Sequence, residues 1–273
     1  MATAAAPYGI IAAAGPLPLT VAQQLRASGH EVVIVSLKSI ADADFSGFDV
    51  HAHRLGAVSA IIDRLKSKGV VQVIMAGRLK RPKLSAVLPD MRGAKILTRA
   101  LKEGDDAALN IVKEELAQDG ITVIDIADFM KQDFAKTGVI TGLDPDQEQQ
   151  DAITIGADYL KATGRFDLGQ SCVVEGRRII AVEAAEGTDA MLERAASLRD
   201  PDLSPVVMVK MLKTGQDRAL DPPGIGVETV KRAQKAGVDV IAIEAGGVML
   251  IDPESTIKTA EKLGVGLFGL KPE

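Results

Sequence analysis

Three observations predict an α/β protein of two domains. The chain has 273 residues, enough for two cores of ordinary size. Apolar runs alternate along it with stretches of helical spacing, the order that builds sheets covered by helices. Aromatics make up only 3 % of a chain that is 47 % apolar, so Ala, Val, Ile and Leu must do the packing, which suits such layers.

The elements follow in order. "YGIIAAAG" reads as a strand ending in glycine, "TVAQQLRASG" as a short amphipathic helix closed by Gly29, and "EVVIVSL" as the next strand. "AVSAIIDRLKSKG" and "AALNIVKEELAQDG" read as helices, and "VVQVIMAG" and "ITVIDIA" as strands. These pieces predict an N-terminal Rossmann-like three-layer domain over residues 1–135. "TGVITGLDPDQEQQ" is rich in turn formers and marks the boundary. Beyond it, "DQEQQDAITIGADYLKATG", "TDAMLERAASLR", "TVKRAQKAG" and "ESTIKTAEKLG" read as helices, with "PVVMVKML", "VDVIAIEAG" and "GVMLIDP" as apolar segments between them. "GQSCVVEGRRIIAVEA" reads as a hairpin, which predicts a mixed sheet in a second α/β domain over residues 136–273.

Composition excludes several classes. A net charge of −5 argues against non-specific nucleic-acid binding. The single cysteine, Cys172, rules out an intrachain disulfide framework and reads as a small buried hydrophobe. The start has no basic region leading into an apolar one, so no signal peptide is expected. No apolar run reaches about 18 residues, so no membrane-spanning helix is expected. The first turn, "AAAGPLP", has one glycine where a dinucleotide fingerprint needs three, and "IVSLKS" lacks the carboxylate that would hold a ribose. An anion near Gly15 stays open, because helix N-termini attract them. His51 and His53 would share one face of a strand but lack an obvious third ligand. "GRLKRPKLSAVLPDMRGAK" carries Arg78, Lys80, Arg81, Lys83, Arg92 and Lys95, either as a solvated basic loop or as a groove for an anion.

Polar groups gather in the second half, at the ends of its apolar segments. In "VEAAEGTDAML", Thr188 or Asp189 can cap the following helix. Glu183, Glu186 and Asp189 would repel a phosphate docked on that helix end unless a divalent cation intervened. In "KMLKTGQDRALDPPGIG", Lys210 and Lys213 precede Gln216, Asp217 and Asp221, an arrangement that suits Mg²⁺ with phosphate, or ordinary loop solubility. In "IAIEAGG", Glu244 ends a strand and could meet the "AEGTD" turn at one sheet edge.

These stretches, with "GIIAAAGPLPL" and "DAITIGADYL", resemble the LpxI family of UDP-2,3-diacylglucosamine pyrophosphatases of the lipid A pathway, and the resemblance runs the length of the chain. It departs at Ala13 and Ala14, where the family has glycines, and at Ala219, where a basic residue is expected. The resemblance implies a two-domain enzyme with its site in the cleft between domains. It implies Mg²⁺-dependent hydrolysis of UDP-2,3-diacylglucosamine to UMP and lipid X, with attack on the β-phosphorus, in the cytoplasm at the inner membrane's face. It makes Asp221 the essential aspartate and lays Glu186, Gly187, Thr188 and Asp189 against substrate phosphate. On that basis Asp221 and Asp217, with Glu186 and Glu244, are the expected metal ligands. Asp221, Asp217 and Thr188 are the expected catalytic groups, and Gly15, Gly187, Thr188, Asp189, Lys210, Lys213 and Gln216 the expected substrate contacts. Substrate, lipid X and peripheral contact with the inner membrane are the expected partners. A homodimer is expected only from how common such symmetry is. The rival readings are a related nucleotide-sugar hydrolase and a non-catalytic sugar-nucleotide or lipid sensor.

Overall fold

Apolar runs buried on both faces form the middle strands of the first sheet. The computed structural model describes residues 5–79, 87–103, 105–142, 144–166, 168–213 and 222–272. Two compact units divide between Met130 and Lys131. In the first, β1 (Tyr8–Ala12), β2 (Val32–Leu37), β3 (Asp49–His53), β4 (Gln72–Ala76) and β5 (Thr122–Val123) make a parallel sheet in the order β3-β2-β1-β4-β5. Helices α1 (Leu17–Ala27), α2 (Val58–Ser67), α3 (Met91–Glu103) and α4 (Asp105–Gln118) flank it, the Rossmann-like arrangement that the βαβ opening predicts.

Two details differ from the sequence reading. The expected strand "ITVIDIA" shortens to β5, because the Asp125 carboxylate accepts from the Ala127 N–H at 2.7 Å and turns the chain into a 3-10 segment. The basic stretch is not all loop, since α3 begins inside it at Met91. Asp90 precedes that helix and accepts from the N–H groups of Gly93, at 2.9 Å, and of Ser59, at 2.7 Å. Burial opposes ionisation of Asp90, but these backbone donors outweigh it and hold its carboxyl below the usual range. Asp90→Ala is expected to cost about 1 kcal/mol, as the loss of a helix cap does. Because the folded pKa is depressed, the Asp90 contribution is full above the unfolded value near 3.8 and is lost as pH falls through the folded value. Urea unfolding at neutral and acid pH checks this: the gap between parent and variant should close in acid.

The second unit holds β6 (Gly138–Thr141), α5 (Gln147–Thr163), β7 (Ser171–Glu175), β8 (Arg178–Val182), α6 (Thr188–Leu198), β9 (Val206–Lys210), β10 (Gly224–Ile225), α7 (Val227–Lys235), β11 (Val240–Glu244), β12 (Met249–Leu250), α8 (Pro253–Leu263) and β13 (Gly266–Leu270). Its main sheet has the order β6-β13-β11-β9-β7-β8 and is mixed, as the hairpin predicts. β9, β11 and β13 run parallel, β6 and β7 run against them, and β8 reverses again. β6 arises within the turn-rich boundary stretch, and β13 was not anticipated. β10 and β12 form a small separate pair.

Each sheet face has its own core. On one, Val173, Ala181, Met208, Ile241 and Ile243 pack with Met191, Leu192 and Ala195 of α6 and Val230 of α7. On the other, Cys172, Val174, Val207 and Val209 pack with Ala152, Ile153 and Leu160 of α5. Helix α5 starts at a capping box in which Asp146 accepts from the Gln149 N–H and the Gln149 side chain accepts from the Asp146 N–H. Two reversals bring the end of β8 to the same sheet edge as the ends of β9, β11 and β13. The start of β7 lies there too.

Candidate functional site

That edge gathers four polar side chains on one face. Strand alternation sends Val206 and Met208 to the α6 face, so Lys210 follows them. Val173 points the same way, so Ser171 does also, and the ladder sets Ser171 opposite Lys210. Glu183 follows β8 and its N–H donates to Ser171 O at 2.9 Å. Thr188 opens α6, beside them.

Glu183 is the hub. Its Oε1 accepts from Thr188 Oγ1 at 2.9 Å. Its Oε2 accepts from Ser171 Oγ in a short hydrogen bond, and from the Gln170 N–H at 3.2 Å. Lys210 Nζ donates to Thr188 Oγ1 at 2.8 Å and lies 3.9 Å from Glu183 Oε2. The side chains of Lys210 and Glu183 are only 6 % and 12 % exposed, so the ammonium is almost out of water and needs this counter-charge. Gly169 permits the approach: a Cβ there would fall 2.4 Å from Glu183 Cβ, Cγ and O. Ser171 was not singled out in the sequence, and Glu183 was noted only as a carboxylate that would repel phosphate. "GQS" before an apolar run gives no signal of its own.

The "EGTD" turn differs from the expected capping. Gly187, not Thr188 or Asp189, is the cap residue, and no side chain caps α6. Its φ of 83° is in the region that favours glycine. Thr188 is the first helical residue, and its hydroxyl is committed to Glu183 and Lys210. Glu186 pairs with Arg194 at 2.6 Å, and Arg194 also donates to Val182 O. Hydrogen bonding from its own backbone, then the Arg194 guanidinium, hold the Glu186 carboxyl below its ordinary range against a lesser opposing effect of burial. Asp189 lies 3.7 Å from Arg232 of α7.

Glu244 shares the edge but not the face. It follows Ile243, which packs on the α6 side, so alternation turns Glu244 toward the α5 side. Its Oε2 accepts from the Leu212 N–H at 2.9 Å, which anchors the chain leaving β9. Glu244 and the "AEGTD" turn therefore do not meet in the way the sequence suggested. Lys213 is half-buried, just beyond β9. Gln216, Asp217 and Asp221 lie outside the described residues, as do Ala219, Lys80, Arg81 and Lys83. Among the described residues no three His, Cys, Asp or Glu side chains gather as a metal site.

The remaining candidates sit elsewhere in their own units. Gly15 ends the first β-turn with φ 96°, and its N–H donates to Asp42 Oδ1 at 2.7 Å. Pro16 and Pro18 have no N–H, so this turn has few amides for an anion. His51 and His53 lie on edge strand β3, where His51 meets Asp49 at 2.9 Å. Burial, then the Arg64 charge, lower the His53 pKa. Arg92 pairs with Asp119, and Lys95 with Glu115 at 2.7 Å, so these two basic groups brace α3 against α4. Burial pushes the Cys172 thiol up to about 12, which removes it as a nucleophile.

Comparison with known proteins adds an independent line. Residues 7–132 match the family described as the LpxI N-terminal domain, and residues 136–268 match the LpxI C-terminal domain. A relative named UDP-2,3-diacylglucosamine pyrophosphatase LpxI, from Caulobacter vibrioides, is 34 % identical over 97 % of this chain and 98 % of its own. A solved structure titled CobK precorrin-6A reductase aligns over 98 % of this chain and 88 % of its own at 15 % identity, with a TM-score of 0.33, a likeness that carries no argument. With both halves matched to the two domains of one family, and a relative similar across nearly its whole length, the chain belongs to the LpxI family.

Proposed function

We propose that the chain is an enzyme that hydrolyses the pyrophosphate of UDP-2,3-diacylglucosamine to UMP and lipid X, at the cytoplasmic face of the inner membrane. The name of the Caulobacter relative, a UDP-2,3-diacylglucosamine pyrophosphatase, supports the substrate. The observation that carries the reading is the Lys210–Thr188–Glu183 chain at one edge of the mixed sheet, beside the uncapped start of α6.

The roles follow from the hydrogen bonds. Thr188 gives its hydroxyl proton to Glu183 and accepts from Lys210, so it has none to offer a phosphate. Its side chain sets the direction of the ammonium instead. The first-turn amides of α6 are the donors for phosphate oxygens, with Lys210 as the nearby positive charge. Glu183 keeps Lys210 fixed, and Ser171 and the Gln170 N–H keep Glu183 fixed. Water adds to the β-phosphorus, and the bond to the bridging oxygen breaks. UMP leaves with that oxygen, and lipid X carries the oxygen from water.

The family implies Mg²⁺, which would neutralise the pyrophosphate oxygens when bound. The described carboxylates do not make a site for it. Glu183 has both oxygens engaged, Glu186 is held by Arg194, and Glu244 is held at Leu212. Asp217 and Asp221 are therefore the proposed ligands, and Asp221 also the group that orients water. Asp221→Asn is expected to lower turnover by about a thousandfold or more while leaving the unfolding curve in place. Phosphorus NMR of the purified chain with substrate in detergent, with Mg²⁺ and then with EDTA, checks the reaction. Isotope-labelled water should appear in lipid X and not in UMP. Unchanged substrate from folded protein that binds it tightly would replace this reading with a non-catalytic sensor.

A further inference from the structure

The outer face of α3 has no part in the core that β1, β2 and β4 share with α2 and α4 in the first unit. Met91, Ala94, Thr98 and Leu101 fall at spacings of three, four and three, so they form one stripe along the helix. All four are exposed, Met91 by 90 %, and Leu88 just before the helix by 62 %. The opposite face is the packed one: Ile96 is buried and Gly93 sits against Gly56, with no room for a Cβ. Single exposed apolar groups are ordinary. Three of them, Met91, Ala94 and Leu101, on one helix face that starts with an almost fully exposed methionine, are not.

The rim of the stripe is basic. Lys95 is 59 % exposed while its partner Glu115 is 3 % exposed, and Arg92 is 40 % exposed while Asp119 is 13 % exposed. In both pairs the cation lies outward and the anion inward, toward α4. Along α3 itself Arg92, Lys95, Arg99 and Lys102 stand against one acid, Glu103, in a chain of net charge −5. Asp90, just before the helix, is occupied by the N–H groups of Gly93 and Ser59.

From this we propose that the outer face of α3, with Leu88, is the surface by which the chain docks on an anionic lipid bilayer. The inference rests on the reading that its substrate is a diacylated lipid. Apolar groups along one helix face with cations beside them suit the boundary between headgroups and acyl chains. A second copy of the chain suits this face less well, because it would set a basic rim against a basic rim. A stable dimer also needs on the order of 20 residues a side, and the stripe has a handful.

The full chain should sediment with vesicles of phosphatidylcholine and phosphatidylglycerol, and weakly with phosphatidylcholine alone. Leu88→Ser with Met91→Ser is expected to lower the partition coefficient about tenfold. Turnover of substrate presented in detergent should not change, since neither residue belongs to the catalytic edge. The chain has no tryptophan, so Met91→Trp makes a single reporter. Its emission should shift to the blue on anionic vesicles and be quenched by lipid-borne quenchers. Unchanged partition in the double variant, or unshifted emission from vesicle-bound Met91→Trp, would overturn the proposal. A double variant that changes oligomeric state but not partition would overturn it in favour of a contact between copies. Failure of the parent chain to hydrolyse substrate in detergent is a separate result and counts against the enzymatic reading alone.

Discussion

Lys210→Met is expected to lower turnover by about a hundredfold or more and to destabilise the second unit. The catalytic loss follows from removing a fixed positive charge from a site of low water content. The stability loss follows from what remains. Opposite charges 3.9 Å apart interact by about 4 kcal/mol at an effective dielectric constant near 20. Glu183 would keep its three hydrogen bonds from Ser171, Thr188 and the Gln170 N–H, which reduce the damage. A net cost of about 2–3 kcal/mol is the expected result. Denaturant unfolding and steady-state turnover measure the two effects separately. Adding Glu183→Gln to Lys210→Met should recover most of the stability and none of the turnover. If Lys210→Met keeps both, the ammonium has no role at this edge.

Gly169→Ala is expected to be nearly as harmful, although it changes no functional group. The new methyl carbon would stand 2.4 Å from three atoms of Glu183, one of them the backbone carbonyl oxygen. Neither strand nor side chain can give way alone. The Gly169 N–H also donates to that carbonyl at 3.0 Å, so moving the chain apart loses a hydrogen bond as well. Overpacking of about 2–3 kcal/mol with about 1 kcal/mol for the bond is the expected cost. Turnover should fall at least about tenfold, because Glu183 cannot move without Lys210 and Thr188. Gly176→Ala, in the hairpin turn where nothing lies within 4 Å of the added carbon, should cost about 1 kcal/mol and leave turnover unchanged. Equal effects from the two substitutions would mean that the approach to Glu183 does not decide the outcome.

What was legible in the sequence was local. Unbroken apolar runs such as "VVIVSL" and "PVVMVKML" gave their strands because a run buried on both faces needs no partner to be recognised. "CVVEGRRII" gave the hairpin and so the mixed sheet. α3 was hidden, because its basic residues look like a solvated loop until Glu115 of α4 and Asp119 just beyond it face them. β6 and β13 were hidden for a related reason: "GVIT" and "GLFGL" are short, glycine-containing and paired with each other across most of the second unit. At the edge, "EGTD" was read as the turn before α6 and Lys210 as the end of its strand, and both lie there. The helix N-cap was misread, because a threonine after glycine reads as a cap unless Glu183 is known to take its hydroxyl. Glu244 was read to a sheet edge and no further: strand ends can be read along a sequence, but their faces depend on ladder partners.

The β7–β8 hairpin contains the device on which all of this depends. Val174 pairs with Ile179 and Val173 with Ala181, so Ile180 is one residue more than the ladder has places for. Both Ile180 and Ala181 pack on the α6 side, and every residue after them is shifted by one. Without that shift Val182 would stand opposite Ser171, and Glu183 would look into the α5 core. The carboxylate thus depends on a count as much as on an identity. A chain could keep Ser171, Glu183, Thr188 and Lys210 letter for letter and still lose their meeting if β8 paired with β7 without the bulge. At this edge the message is written in reading frame, and Ile180 sets the frame.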